Sequence, residues 1–142
     1  MIIKGFIQWA VKFGVALVVV VLTLNCSAKQ ELTAEESVRM KAGERWQALI
    51  EGKLDKAYAY EVPEYRKVFD IEQYKRGFGG VGMWKKAEVV DVACMENCVV
   101  TMRIYVTINV ARWGDTMDTS SLLKEQWMRD TGSGEWFHLS SK

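Results

Sequence analysis

Cys98 to Ala111 alternates with a period of two. Met102, Ile104, Val106, Ile108 and Val110 are apolar, and Thr101, Arg103, Tyr105, Thr107 and Asn109 stand between them. Successive side chains on a strand point to opposite faces, so this stretch reads as a strand with one buried and one largely polar face. The apolar face needs a second layer to cover it.

Other strands flank it. Trp84 to Cys94 reads as a first strand, Thr119 to Arg129 as a third and Glu135 to Leu139 as a short fourth. Trp113-Gly114-Asp115 and Asp130 to Gly134 supply the turns, and their shortness makes the sheet an antiparallel meander. The residues ahead of the sheet are helical. Thr33-Ala34-Glu35-Glu36 reads as a capping box, and Val38, Ala42, Trp46, Leu49 and Ile50 follow on one stripe that stops at Gly52. Short helices are predicted over Leu54 to Tyr60, over Pro63 to Phe69 with proline in the first turn, and over Ile71 to Arg76 with Asp70 as cap. Helices first and strands after predict an α+β fold, with N-terminal helices packed on a curved four-stranded antiparallel sheet.

The first 25 residues are a separate segment. Lys4 is followed by a mainly apolar stretch, and Phe13 to Leu24 carries no charge. A basic start and an apolar part of about a dozen residues build a secretory signal. Cys26 stands where the apolar part stops. The segment therefore resembles a bacterial lipoprotein signal, which implies lipidation of Cys26. An uncleaved anchor from Met1 to Leu24 and simple cleavage are the alternatives. All three put the body on the periplasmic side of a cell envelope, membrane-anchored in the first two, and the lipidated form favours the outer membrane. The expected layout is 1–25 signal or anchor, 26–32 tether and 33–142 one domain.

Lys4 and Lys12 belong to the signal, so the remaining basic residues nearly balance the 18 acidic ones. That excludes a basic surface suited to nucleic acid. Of the three cysteines, Cys94 and Cys98 bracket a three-residue turn between two strands and read as a structural disulfide. With no neighbouring histidine or second cysteine pair they make a poor metal site, and C-x-x-x-C is not the redox spacing. No metal or cofactor is expected.

Arg45 to Tyr58 resembles the opening of a nuclear-transport-factor-2-like domain, in which a first helix ends at glycine and a short helix carrying D-x-A-Y follows, here Asp55 to Tyr58. Tyr65 to Tyr74 resembles its next helical segment, and Glu125-Gln126-Trp127 with Gly134-Glu135-Trp136 its closing hairpin. The resemblance covers about residues 33–139. It implies a cone, with the curved sheet wrapped round the helices and a pocket at the wide end. Enzymes of that superfamily place Asp, His or Tyr inside the cone, but no position here matches theirs.

Within such a cone Tyr58, Tyr65, Phe69, Trp84 and Trp127 are candidate pocket residues. Pairing Cys94 with Cys98 puts Glu88 on the face of Met102 and Ile104, as a candidate pocket acid. The only histidine, His138, reads as a surface or edge residue. The expected protein is a membrane-tethered, non-catalytic module that binds a protein partner or a small apolar ligand. An accessory single-helix subunit of an inner-membrane complex and a small isomerase- or dehydratase-like enzyme are the alternatives. A homodimer through the open face of Arg103, Tyr105 and Thr107 is a further expectation.

Overall fold

The structure is a computed structural model that describes residues 31–79, 81–110 and 114–140. The expected anchor Met1 to Leu24, the acceptor Cys26 and most of the tether lie outside these residues. Among the described residues, no helix is long and apolar enough to cross a membrane.

Helix α1 spans Ala34–Ile50 and starts at the expected capping box. The Glu36 amide donates to Thr33 Oγ1 at 3.2 Å, and the Thr33 amide donates to Glu36 Oε2 at 2.9 Å. It ends in a left-handed glycine. Gly52 has φ of 70°, its amide donates to Leu49 O, and the Lys53 amide donates to Ala48 O. These two bonds satisfy carbonyls that the end of a helix leaves free. Three short helices follow: α2 (Leu54–Tyr58), α3 (Pro63–Val68) and α4 (Ile71–Arg76). A second capping box opens α4, with Asp70 and Gln73 exchanging hydrogen bonds.

The sheet is antiparallel, with strands β1 (Trp84–Cys94), β2 (Cys98–Val110), β3 (Asp115–Arg129) and β4 (Trp136–Leu139) in sequential order. This is the expected α+β arrangement with a four-stranded meander. Cys94 and Cys98 face each other across the first turn with their sulfurs 2.01 Å apart.

The core lies between α1 and the inward face of β2. Val38, Ala42, Trp46 and Leu49 from the helix meet Cys98, Val100, Met102 and Ile104 from the strand, with Trp127 and Trp136 beside them. The alternation in β2 is sharp from Cys98 to Ile104, where inward residues are fully covered. It softens beyond, where Val106, Ile108 and Val110 are only half-buried.

Two expectations are corrected by strand geometry. β3 starts at Asp115 rather than Thr119, and Asp115 to Lys124 is exposed on both faces. A strand covered on neither face has no need to alternate, so its start leaves no periodic signal. The second correction concerns Glu88. The register runs Val92 to Val100 and Asp91 to Thr101, then resumes at Val89 opposite Met102. The extra residue, Val90, is a bulge, and one extra residue reverses the face of everything beyond it. Glu88 therefore lies opposite Arg103, on the face away from the core.

Candidate functional site: a buried charge network at a pocket floor

Four ionisable side chains far apart in sequence meet under α1. Arg45 falls on the buried stripe of α1, four residues before Leu49. Glu61 follows α2, Glu125 points inward from β3 beside Val100, and His138 comes from β4. All four are buried, and Glu61 is fully so.

Backbone hydrogen bonds set their meeting point. The His138 amide donates to Tyr60 O at 2.7 Å, and the Val62 amide donates to His138 O at 3.1 Å. This bridge ties β4 to the segment after α2 and puts Glu61 beside His138.

Hydrogen bonds then saturate the carboxylates. Arg45 spans both, donating from Nη2 to Glu61 Oε1 and from Nη1 to Glu125 Oε1, each at 3.0 Å. Trp46 Nε1 donates to Glu125 Oε1 at 2.8 Å, and Trp127 Nε1 reaches Glu125 Oε2 at 3.4 Å. His138 Nδ1 lies 2.9 Å from Glu61 Oε2. Burial alone raises the Glu61 pKa, but the hydrogen bond and charge of His138, with Arg45, hold it below the ordinary carboxylate value. Burial works against the Arg45 charge too, and the two carboxylates outweigh it, so its pKa is raised.

An ionised Glu61 only accepts, so the proton between it and His138 sits on Nδ1. That leaves Nε2 facing Glu125 Oε1 at 3.9 Å, beyond hydrogen-bond distance. Glu125 Oε1 already accepts from Arg45 Nη1 and Trp46 Nε1, so in the neutral ring Nε2 is the acceptor of the two with capacity to spare. Two buried polar atoms nearby have no hydrogen-bond partner: Arg45 Nε and the Tyr74 hydroxyl. Burial raises the Tyr74 pKa well above the tyrosine range.

Arg45, Glu125 and His138 form part of the lining of an open pocket of about 560 Å³. Its apolar walls are Trp46, Leu49, Phe78, Trp84 and Leu123. Trp46 and Trp84 meet edge to face at 5.4 Å, and Phe78 leans on Trp84 at 6.1 Å. A mostly apolar pocket with a few convergent polar groups is the usual build of a small-molecule site. Among the described residues, no group of three or more His, Cys, Asp or Glu is arranged to hold a metal ion.

Of the residues singled out in sequence, Trp84 lines this pocket. Trp127 is wholly buried, with its ring 5.7 Å from His138. Tyr58, Tyr65 and Phe69 lie outside the pocket lining. Tyr58 and Tyr65 pack on Tyr74, Tyr65 stacks with Phe69 at 4.8 Å, and the Tyr58 hydroxyl donates to Phe69 O at 2.7 Å. Glu88 pairs with Lys86 and accepts from the Tyr105 hydroxyl at 2.8 Å. Cys26 lies outside the described residues. The edge position expected for His138 is right, since β4 ends the sheet, but the side chain is buried by Glu61 and Trp127. Arg45, Glu61 and Glu125 were not singled out. One signal was available for Arg45: an arginine at i+3 from Ala42 and i−4 from Leu49 lies on an otherwise apolar stripe.

No protein-family model and no curated protein matches the sequence. Solved structures share its fold. A SEC-C motif containing protein from Psychrobacter arcticus superposes with a TM-score of 0.54 at 13% identity, over 80% of this chain and 64% of that one. A SEC-C motif containing protein from Rhodopseudomonas palustris gives 0.52 at 16% identity, over 81% of this chain and 83% of that one. The chain thus spans less than two thirds of the Psychrobacter protein. Likeness at these identities establishes shared fold.

These matches correct the family expectation. These two solved structures are SEC-C motif containing proteins, not a nuclear-transport-factor-2-like domain behind a lipoprotein-type signal. The physical reason lies in what carried the resemblance. Gly52 serves a helix C-cap, Ala57 fills core space and Trp127 packs under α1. Such packing and turn residues recur wherever helices cover a meander, so they do not single out a family.

Proposed function

We propose that this domain is a non-catalytic binding module that takes a small, largely apolar ligand carrying a hydrogen-bond donor, such as an alcohol, a phenol or an amine. The observation that carries the reading is His138 Nε2, 3.9 Å from Glu125 Oε1 and so not hydrogen-bonded to it, on a residue that lines an aromatic-walled pocket. A ligand donor there meets Nε2, an acceptor in the neutral ring whose orientation Glu61 fixes through Nδ1, so little ordering is left for binding to impose. The Cys94–Cys98 bond supports a setting outside the cytoplasm, where disulfides persist.

Calorimetric titration with phenol and benzylamine tests the reading, with benzoate, which carries only acceptors at pH 7, as the contrast. Saturable binding of either donor in preference to benzoate, abolished by Leu123→Trp, supports it. Leu123 is 41% exposed, so the larger ring fills the pocket without disturbing the core. Equal binding of all three, or binding indifferent to Leu123→Trp, contradicts it.

A second reading is favoured by one observation. His138 is held by a buried carboxylate through Nδ1 and lines the pocket, the relation of a general base to its orienting group. Under that reading the module is a proton-transfer enzyme. Exchange of an activated carbon-bound proton of a bound ketone with solvent deuterium, lost in His138→Gln, distinguishes it from a binding module.

A further inference from the structure

The two outer strands of the sheet treat their free edges differently. β1 is broken by register shifts at Trp84/Lys86 and Val89/Asp91, and Arg39 Nη1 donates to the Val89 carbonyl at 3.1 Å. Bulges, charges and capped carbonyls are the means by which edge strands avoid pairing with other chains. β3 has no bulge, and its exposed charges there are of both signs, Asp115 and Asp118 near one end and Lys124 near the other. It pairs with β2 without a shift from Asp115 to Trp127, while β4 covers only Gln126 to Arg129. Among the described residues, the outer edge from Asp115 to Glu125 therefore has no strand partner. Met117, Leu122 and Leu123 are 50%, 61% and 41% exposed along it.

We infer that this edge pairs antiparallel with the same edge of a second copy of this chain, about a two-fold axis at Ser120, to give one continuous eight-stranded sheet. The sequence is complementary to itself in that register. Thr116 to Lys124 pairs with Lys124 to Thr116, and Ser120 meets its own counterpart. Met117 faces Leu123 of the second copy on the core side, twice. Asp118 faces Leu122 on the other side, with Lys124 of the second copy diagonal to it and within reach of a long side chain. Thr119, Ser120 and Ser121 are small, so the strands can approach at the axis. The paired span stops at Lys124, just short of the residues that β4 covers. In this register residues opposite each other share a face, as a two-fold axis normal to the sheet requires. This pairing differs from a dimer through the open face of Arg103 and Tyr105, and it does not depend on what the pocket binds.

The test uses the full chain in mild detergent, with Cys26→Ser to remove the other thiol. Ser120→Cys is oxidised with diamide, which takes up the two electrons and two protons that the thiols release. Residue 120 stands opposite itself, within disulfide reach, so a covalent species of twice the 16.2 kDa chain is expected. Thr101→Cys, on the open face of β2, should stay monomeric. Adding Leu122→Asp to Ser120→Cys sets a carboxylate opposite Asp118 and should abolish the cross-link. Adding Leu122→Lys sets opposite charges together and should preserve it. Both changes fall on a 61% exposed side chain, so neither threatens the fold. A cross-link at Thr101→Cys but not Ser120→Cys, an equal response to aspartate and lysine at position 122, or no cross-link at chain concentrations up to about 100 µM overturns the inference.

Discussion

The β2–β3 hairpin is one continuous ladder, yet its two halves are different materials. Near Cys98 to Ile104 its inner face is covered by α1 and closed by Trp127, and Glu125 is saturated by Arg45 and two indoles. Further along, β3 from Asp115 to Lys124 is exposed on both faces, although it is paired to β2 residue for residue. The ladder is equally regular in both halves, so pairing alone does not decide what is rigid, specific or able to hold a ligand. What differs is the layer above. Where helices cover the sheet it encloses charges and a pocket, and where they stop it presents backbone and scattered apolar side chains to its surroundings.

The sharpest way to break this contrast is to remove a charge from the covered half. Arg45→Met leaves Glu61 and Glu125 buried against each other, and loss of one partner of a buried pair costs about 3–5 kcal/mol. Urea unfolding of the variant should show a loss of that size, with the m-value unchanged. Next is the pH response of Glu61. Its folded pKa lies below the ordinary value of 4.5. Its contribution is therefore complete above the unfolded value and is lost as pH falls through the lower folded value. Stability measured below about pH 4.5 should decline, and Glu61→Gln should flatten that decline. The disulfide ranks third. It closes a very short loop, so reducing it should cost at most about 2 kcal/mol, read as a drop in Tm. The smallest effect belongs to the bare half. Leu122→Ala should change stability by under about 0.5 kcal/mol, because its side chain already faces solvent. An Arg45 variant as stable as wild type, or a Leu122 variant as damaged as Arg45→Met, would erase the distinction between the halves.

How much of this the sequence revealed follows the same division. Elements set by local chemistry were legible. Thr33 and Glu36 mark the start of α1 and Gly52 its end, Cys94 and Cys98 mark the first turn, and the alternation of β2 marks its buried face. The charge network was not legible, because its members are joined only through the fold. Arg45 meets Glu61 across 16 positions and Glu125 across 80, and Glu61 meets His138 across 77. A backbone bridge and a strand register make those meetings, and neither has a local signature. Glu88 shows the converse. A regular register would put it on the core face, and the bulge at Val90 moves it to the other. Aromatic residues are plentiful in the sequence, but composition does not sort Tyr58, Tyr65 and Phe69, which pack round Tyr74, from Trp46 and Trp84, which line the pocket.

The most direct test is a ¹H–¹⁵N titration of the indole signals with benzylamine. Trp46 donates into the network and Trp84 forms a wall, while Trp136 is buried outside the pocket lining. The account predicts saturable shifts of Trp46 and Trp84 with Trp136 unmoved. No saturable shift, or a shift of Trp136 as large as that of Trp46, would contradict a ligand site in the pocket that Arg45, Glu125 and His138 help to line.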